Sequence, residues 1–481
     1  MSNIETFKSY CSFCRKDLSK VEFEYYNADL LICLQCKEII TNSPIDDSSP
    51  IVLFDDIPVL QSDAKVLQYF EKELNLPLPS ITLRNFLTED EVYGYLIEDN
   101  QVVGLGLDGA DLESLSAIIL NLTNLKYLSL KNNVLKELPA FVDQLTKLEI
   151  LDLSKNYISN LPSLQHLEKL NHVIFLDNRI EKLPLLPPNL QSINLRWNRI
   201  KKMNISFPES IKRINLAQNR LINLPKSFRF LHQLEELNLY GNQLKELPNI
   251  FKDLKNLRIL ILRVNSLITL PESFSSLNSL EILDLEENNL SSIPDLSQFT
   301  NLKQLNVSKN NLSKLTGLNR CKEIINLDIR DNKFESLTIS DLKQLQVLDI
   351  SYNHFTQLPV GIELNSYLEE LIASGNELTF INQNELRNLL NLTRLSLAKN
   401  KFNKLPDLSF LPNLQELYVN DNKLEVKPEW LENAKLNVLI IDKLDKLEEL
   451  EKEEKEEKEE KEEKQEKKEK IEFDNLNSWF E

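Results

Sequence analysis

This chain has almost none of the groups from which reactive centres are usually assembled. Its 481 residues include only four histidines, His166, His172, His232 and His354. No nucleophile meets a histidine at a recognisable spacing, and no pair of carboxylates suits a metal. No G-x-x-x-x-G-K-[ST] loop is present, which excludes a P-loop nucleotide site. No apolar run is long enough for a helix that spans a bilayer. Met1 to Lys8 lacks the basic and apolar regions of a signal peptide. The five cysteines are not spread as disulfide staples: four fall within residues 11–36, so a reducing, cytoplasmic setting is expected. Positive charge is in the minority. Lys plus Arg is 56 against 74 for Asp plus Glu, a net charge of −18, which disfavours a nucleic-acid backbone as the main partner.

What the chain does have is a period. Asn133, Asn156, Asn178, Asn198, Asn219, Asn242, Asn265, Asn288, Asn310, Asn332, Asn353, Asn376, Asn400 and Asn422 recur at gaps of 20 to 24 residues. Each sits in the frame L-x-x-L-x-L-x-x-N-x-L. Within one unit, Leu151 and Leu153 are two apart and so share one side of a short strand, with Asp152 between them on the other. One such strand cannot bury its leucines alone, so neighbouring units must stack into a parallel sheet. Each asparagine falls where the chain turns inward, and its carboxamide can satisfy the buried backbone groups of that turn. Leu-Pro pairs such as Leu138-Pro139, Leu224-Pro225 and Leu270-Pro271 mark the return segments. Proline there predicts short 3₁₀ or irregular turns in place of long helices. This pattern resembles the typical and 22-residue leucine-rich repeat classes. The resemblance implies an α/β solenoid, a horseshoe with a parallel concave β-sheet, of about 15 to 16 repeats over residues 101–442. It also implies an intracellular interaction scaffold.

Residues 1–44 form a second module. Cys11-x-x-Cys14, eighteen residues, then Cys33-x-x-Cys36 offers four thiolates to one tetrahedral Zn2+, with no position left open for a water. A module this short gains its folding energy from the metal. Tyr10-Cys11-Ser12-Phe13-Cys14, Lys16, Val21, Leu31-Ile32-Cys33 and Ile39-Ile40 resemble the N-terminal zinc-binding domain of the ClpX unfoldase. That resemblance implies a small treble-clef-like zinc domain that forms a homodimer or docks adaptors.

Residues 45–100 read as a linker followed by an N-terminal cap, helix plus hairpin. Ser62 is expected to cap a helix to about Leu74, with Val66, Leu67 and Phe70 on one face. Glu91 to Glu98 alternates as a strand, Asp99-Asn100 turns, and Val102 to Leu107 returns. The return strand contains Gly104-x-Gly106-x-x-Gly109, a literal dinucleotide-binding string. Leu105, Leu107 and Leu112 instead match the repeat frame 23 residues before Leu128, Leu130 and Leu135, so the glycines are expected to open the first repeat.

The side chains between the core leucines form the exposed strand face. Asn and Asp recur there as Asp152, Asn194, Asn215, Asn238, Asp284, Asn306, Asp328 and Asp349, a polar ladder expected mainly to solvate the face. Arg196, Trp197, Tyr240 and Arg263 are the expected binding patch, because aromatic residues and arginine dominate interface hot spots. Tyr127 and His172 flank it on one side, and Glu286, Arg330, Tyr352 and Tyr418 on the other. Ile174, Ile261, Ile282 and Ile372 are expected to add exposed apolar area.

Residues 443–470 read as a capping helix followed by a Lys/Glu-rich spacer, helical or disordered. Glu451/Lys455 and the pairs after it have the favourable i, i+4 orientation, giving a C-terminal charged helix. Residues 471–481 then present Phe473, Leu476, Trp479 and Phe480 in an acidic frame that suits a docking peptide. The whole reads as a non-enzymatic protein–protein scaffold with a structural zinc, one per chain. The alternative is a regulatory subunit of an enzyme such as a phosphatase or GTPase. A ubiquitin-type ligase or nucleic-acid binding through the zinc module fits less well.

Overall fold

The computed structural model describes the backbone of residues 23–27 and 30–33, and residues 51–442 apart from 89 and 204. The chain divides into two compact units that meet in sequence between Leu257 and Arg258.

The first unit begins with an antiparallel hairpin, β1 (Phe23–Asn27) and β2 (Leu30–Cys33), in which Phe23 pairs with Cys33. A second hairpin, β3 (Ile51–Phe54) and β4 (Ile57–Leu60), was not anticipated. Its turn is Asp55-Asp56, both at positive φ (47° and 64°). Asp99 and Asn100 do the same between β5 (Tyr93–Glu98) and β6 (Gln101–Leu107), where the hairpin was expected. Two such residues in succession give the mirror-image turn that matches strand twist.

Helix α1 (Gln61–Leu74) buries Val66, Leu67 and Phe70 as its spacing predicts and ends at Asn75 in the left-handed conformation. Ser62 does not cap it. The cap position is Leu60, without a side-chain bond, and the Ser62 hydroxyl donates to Asp63 Oδ1 at 2.9 Å. Asp63 is 2% exposed, and its Oδ2 accepts from the Val102 backbone N–H at 2.8 Å. The polar residues of this first turn therefore brace β6 against the helix. A short helix α2 (Leu83–Thr88) follows. Residues 79–81 bond to Tyr95 on the outer side of β5 (Ile81 N to Tyr95 O, 2.8 Å; Tyr95 N to Pro79 O, 2.9 Å), so that edge is covered.

The inner strand β6 pairs in parallel with the first repeat strand, Leu105 opposite Leu128. The parallel register continues Leu128, Leu151, Val173, Ile193, Ile214, Leu237, each residue at most 2% exposed. Gly104 and Gly106 are therefore strand residues, and Gly109 (φ 67°) is a turn residue, as the repeat frame requires. In the second unit the register runs Leu260, Leu283, Leu305, Leu327, Leu348, Leu371, Leu395, Leu417, Leu439. The last of these is 38% exposed.

The asparagines staple one repeat to the next. Asn219 Nδ2 donates to Leu195 O of the previous repeat (2.9 Å) and to Leu216 O and Ala217 O of its own (3.1 and 3.2 Å). Its Oδ1 accepts from Ile200 N at 3.1 Å. Asn332 repeats the arrangement in the second unit with Val307 O, Ile329 O, Arg330 O and Leu312 N. At the end of the described chain Asp442 Oδ2 accepts from the backbone N–H of the last ladder asparagine, Asn422, at 3.2 Å.

The return segments are short 3₁₀ turns such as Ala140–Gln144, Lys226–Phe230 and Glu272–Ser276, each entered from the proline of a Leu-Pro pair. One return becomes an α-turn, α3 (Gln383–Leu386), because Asn382 and Glu385 form a reciprocal capping box. Cys321 is wholly buried in a return segment; its thiol donates to Leu296 O at 3.4 Å, and burial pushes its pKa up to about 12.

Candidate binding surface

The outward strand face is built on local bonds that the sequence reading took for solvation. Asn194 Oδ1 accepts from the Arg196 N–H (3.1 Å), Asn238 from Tyr240 (3.0 Å), Asp284 from Glu286 (3.1 Å) and Asp328 from Arg330 (2.9 Å). Each Asx side chain ties down the backbone two residues on, at the strand's end. The polar ladder therefore aims the next side chain, which is the residue singled out for binding.

In the first unit, Arg196 lies over the Trp197 ring, its guanidinium carbon 4.4 Å from the centroid. Arg196 Nε is buried without a hydrogen-bond partner. Trp197 is 47% exposed and sits at φ 57°, a conformation that costs a bulky residue energy. Tyr240 is half-buried. His172 Nε2 accepts from Arg213 at 3.2 Å while Nδ1 faces Asn171 Oδ1, so the ring is neutral. Burial, then the neighbouring Arg213, pushes its pKa down. Tyr127 is turned to the cap: its ring tilts against Phe86 at 5.6 Å.

Arg263 belongs to the second unit, where its Nε lies 3.8 Å from Asp284 Oδ2. Arg330 bridges three carboxylates, Glu286 at 3.4 Å and Asp328 and Asp349 at 3.9 Å each. Lys309 reaches Glu286 at 2.8 Å. Burial works against the Glu286 charge, yet Lys309 and the arginines hold its pKa below the usual value. Asp328 is pushed up to about 6, by burial first and then by Asp349 despite the Arg330 N–H bond. Tyr352, 48% exposed at φ 51°, has Lys399 Nζ 5.8 Å from its ring centroid. Tyr418 donates to Glu416 Oε2 at 3.1 Å and stacks under Arg394 at 5.3 Å. Ile174, Ile261, Ile282 and Ile372 are half-buried by their neighbours and add less apolar surface than expected.

Buried Asp108 also escaped the sequence reading. It accepts from Val92 N (2.7 Å), Ser129 Oγ and Lys131 N (2.9 Å), and burial pushes its pKa up to about 6. It ties the cap to the first repeat. The expected zinc ligands Cys11, Cys14 and Cys36, and Phe473, Leu476, Trp479 and Phe480, lie outside the described residues, as does the side chain of Cys33. No helix among the described residues is long and apolar enough to cross a membrane.

Comparison with known proteins agrees with this architecture. Leucine-rich repeat models match residues 123–166, 188–244, 247–290 and 344–364. A solved Leptospira interrogans LRR protein superposes with a TM-score of 0.58 at 29% identity, over 69% of this chain and 82% of that one. Human oligodendrocyte-myelin glycoprotein is 36% identical over 104 residues, 21% of this chain and 22% of its own length. An Arabidopsis thaliana homologue of the protein phosphatase 1 regulatory inhibitor subunit PPP1R7 is 34% identical over 88 residues, 18% of this chain and 26% of its own. The chain spans only 9% to 26% of the length of the curated relatives it matches.

Proposed function

We propose that this leucine-rich repeat chain is a non-enzymatic intracellular scaffold that binds another protein on its outward strand face. The observation that carries this reading is the Arg196–Trp197 pair. A large ring stands half in solvent on a backbone fixed by Asn194 and Asn198, with a guanidinium stacked on it. A ring held at a fixed strand end, with a guanidinium already stacked on it, loses little entropy on binding, which is what an interface anchor needs. Quantitative affinity capture tests it. The Arg196→Ala/Trp197→Ala/Tyr240→Ala variant is expected to lose at least one partner of the wild type, and identical partner sets would overturn the assignment.

A regulatory subunit of a phosphatase is the second reading, favoured by the match to the PPP1R7 homologue. Inhibition of a purified phosphatase 1 catalytic subunit by the chain is the measurement that separates it from a passive scaffold.

In the same scheme residues 1–44 hold one structural Zn2+ through Cys11, Cys14, Cys33 and Cys36 and supply a homodimer or adaptor contact. The all-sulfur donor set fits zinc, and β2 closes on Cys33, so the second C-x-x-C leaves directly from a hairpin end. Elemental analysis under reducing conditions should find about one zinc per chain. Residues 471–481 serve as a docking peptide on a charged spacer.

A further inference from the structure

One edge of the first unit carries a row of arginines that lies off the strand face. The residue after each ladder asparagine donates its backbone N–H to the preceding turn. Arg179 N bonds Ile158 O at 2.9 Å, Arg199 N bonds Ile180 O at 2.9 Å, and Arg220 N bonds Ile200 O at 3.0 Å. These bonds hold the three residues in register. Successive turns are about one strand spacing apart, roughly 4.8 Å, so the row spans about 10 Å. All three side chains are exposed.

The chain carries a net charge of −18, so carboxylates are abundant. Yet among the described residues none pairs with Arg179, Arg199 or Arg220, nor with Arg196 or Arg213; the ion pairs of this unit involve Lys126, His166, Lys212 and Arg229. Asp177 precedes the row by two residues and does not pair with it. Aromatic rings accompany the row. Arg179 lies 4.5 Å from the Tyr157 centroid, one turn earlier, and Trp197, under Arg196, precedes Arg199 by two residues in the chain. A guanidinium stacked on a ring keeps its edge donors free for a carboxylate.

We propose that this row is a docking strip for an extended acidic peptide segment with an aromatic side chain beside its carboxylates. Charge complementarity selects the occupant: three forked donors in a line match carboxylates spaced along an extended backbone. A long polyanion fits less well, because it would run on over a molecule of strongly negative net charge. The inference rests on the scaffold reading but uses a different edge of the repeats.

Fluorescence anisotropy with the full chain tests it. The probe is a short labelled peptide of alternating glutamate and serine with one central tryptophan. The expected result is saturable binding on the order of 10 µM, weakened several-fold when salt rises from low to physiological strength. Arg179→Gln/Arg199→Gln/Arg220→Gln should weaken it at least about tenfold. Lys401→Gln/Lys423→Gln, at the same position of second-unit turns, should leave it unchanged, since Lys401 already pairs with Glu377 at 2.8 Å. No saturable binding, equal binding by both variants, or tighter binding of a single-stranded oligonucleotide would overturn the proposal. If the strip variant captures every wild-type partner and the Arg196/Trp197/Tyr240 variant does not, the strip fails and the scaffold stands.

Discussion

Arg179, Arg196, Arg199, Arg213 and Arg220 in the first unit meet no carboxylate among the described residues. In the second, Arg263, Lys309, Arg330 and Arg394 all do. The frame beneath them is the same, with the same leucine register, asparagine staples and Asx bonds at the strand ends. The difference therefore lies wholly in outward residues, which the core does not constrain. On its strand side the second unit pairs these cations with its own carboxylates and gains a surface network, while Arg320 and Arg387 of its return segments have no ion pair among the described residues. The first leaves these guanidinium groups without a carboxylate, two of them (Arg179 and Arg196) stacked on rings, which costs little in water and favours an incoming anion.

The comparison breaks first if the frame itself is not shared. Asn219→Ala and Asn332→Ala each remove a carboxamide with four bonds, so each should cost about 3 kcal/mol. Denaturant unfolding should give similar losses for both, and a large disparity would mean that the units are not built alike. A smaller effect distinguishes their turns. Gly375 (φ 67°) lies under the Tyr352 ring, where an added Cβ would come within 2.7 Å of it. Gly241 (φ 66°) meets only the end of the Gln218 side chain, at 2.6 Å. Both substitutions by alanine incur the left-handed penalty of about 1 kcal/mol, and Gly375→Ala should cost about 1 kcal/mol more. Equal melting shifts would remove the packing distinction.

Charge gives the next test. Asp328 has a folded-state pKa of about 6 against an ordinary 3.8. Between those values the folded chain holds a proton that the unfolded chain has released. Its contribution to stability is therefore full below pH 4 and is lost as pH rises through 6. Asp328→Asn keeps the acceptor that Asn306 supplies one repeat earlier. It should flatten the stability slope between pH 4 and 6 and leave the protein at pH 7 as stable as before or up to about 1 kcal/mol more so. An unchanged slope would show that Arg330 compensates fully. The smallest effect is the most diagnostic. Arg330→Gln leaves Asp328 and Asp349 without an ion partner and Glu286 with Lys309 alone, and should cost about 1 kcal/mol after allowance for its exposure. Arg199→Gln, with no ion partner to strand, should cost less than about 0.5 kcal/mol. Equal losses would mean that the first unit's arginines are held within the fold as firmly as those of the second.

Most of the frame was legible because a buried leucine and a buried carboxamide have few substitutes, so the period survives in the letters. The false dinucleotide string was resolved by the same means: Leu105 and Leu107 fall on the repeat register, and the glycines are strand residues. The hairpin at Ile51–Leu60 was missed because its turn is Asp55-Asp56 in place of the usual Asn-Gly, though both residues adopt the required left-handed conformation. Ser62 was misassigned because a serine before an acidic residue has the pattern of a cap, whereas burial had given the Asp63 carboxylate to Val102. The Asx ladder was read as filler because a bond to a neighbour two residues away leaves no trace in composition. The arginine strip did leave one, in Asn178-Arg179-Ile180, Asn198-Arg199-Ile200 and Asn219-Arg220-Leu221.

Trp197 and Tyr352 occupy the place after the strand where the main chain runs left-handed from coil to coil, and elsewhere that place holds Asn132, Lys155, Gln218 or Gly241. Whatever residue stands there leaves the backbone in the same direction and pays a conformational toll that is least for glycine, asparagine and aspartate and larger for bulky side chains. Recognition chemistry can thus be exchanged coil by coil at these corners, from ring to amide to ammonium, while the leucine interior goes untouched. A change of ligand preference in such a chain could proceed through single corner replacements, each nearly silent to the folding of the rest.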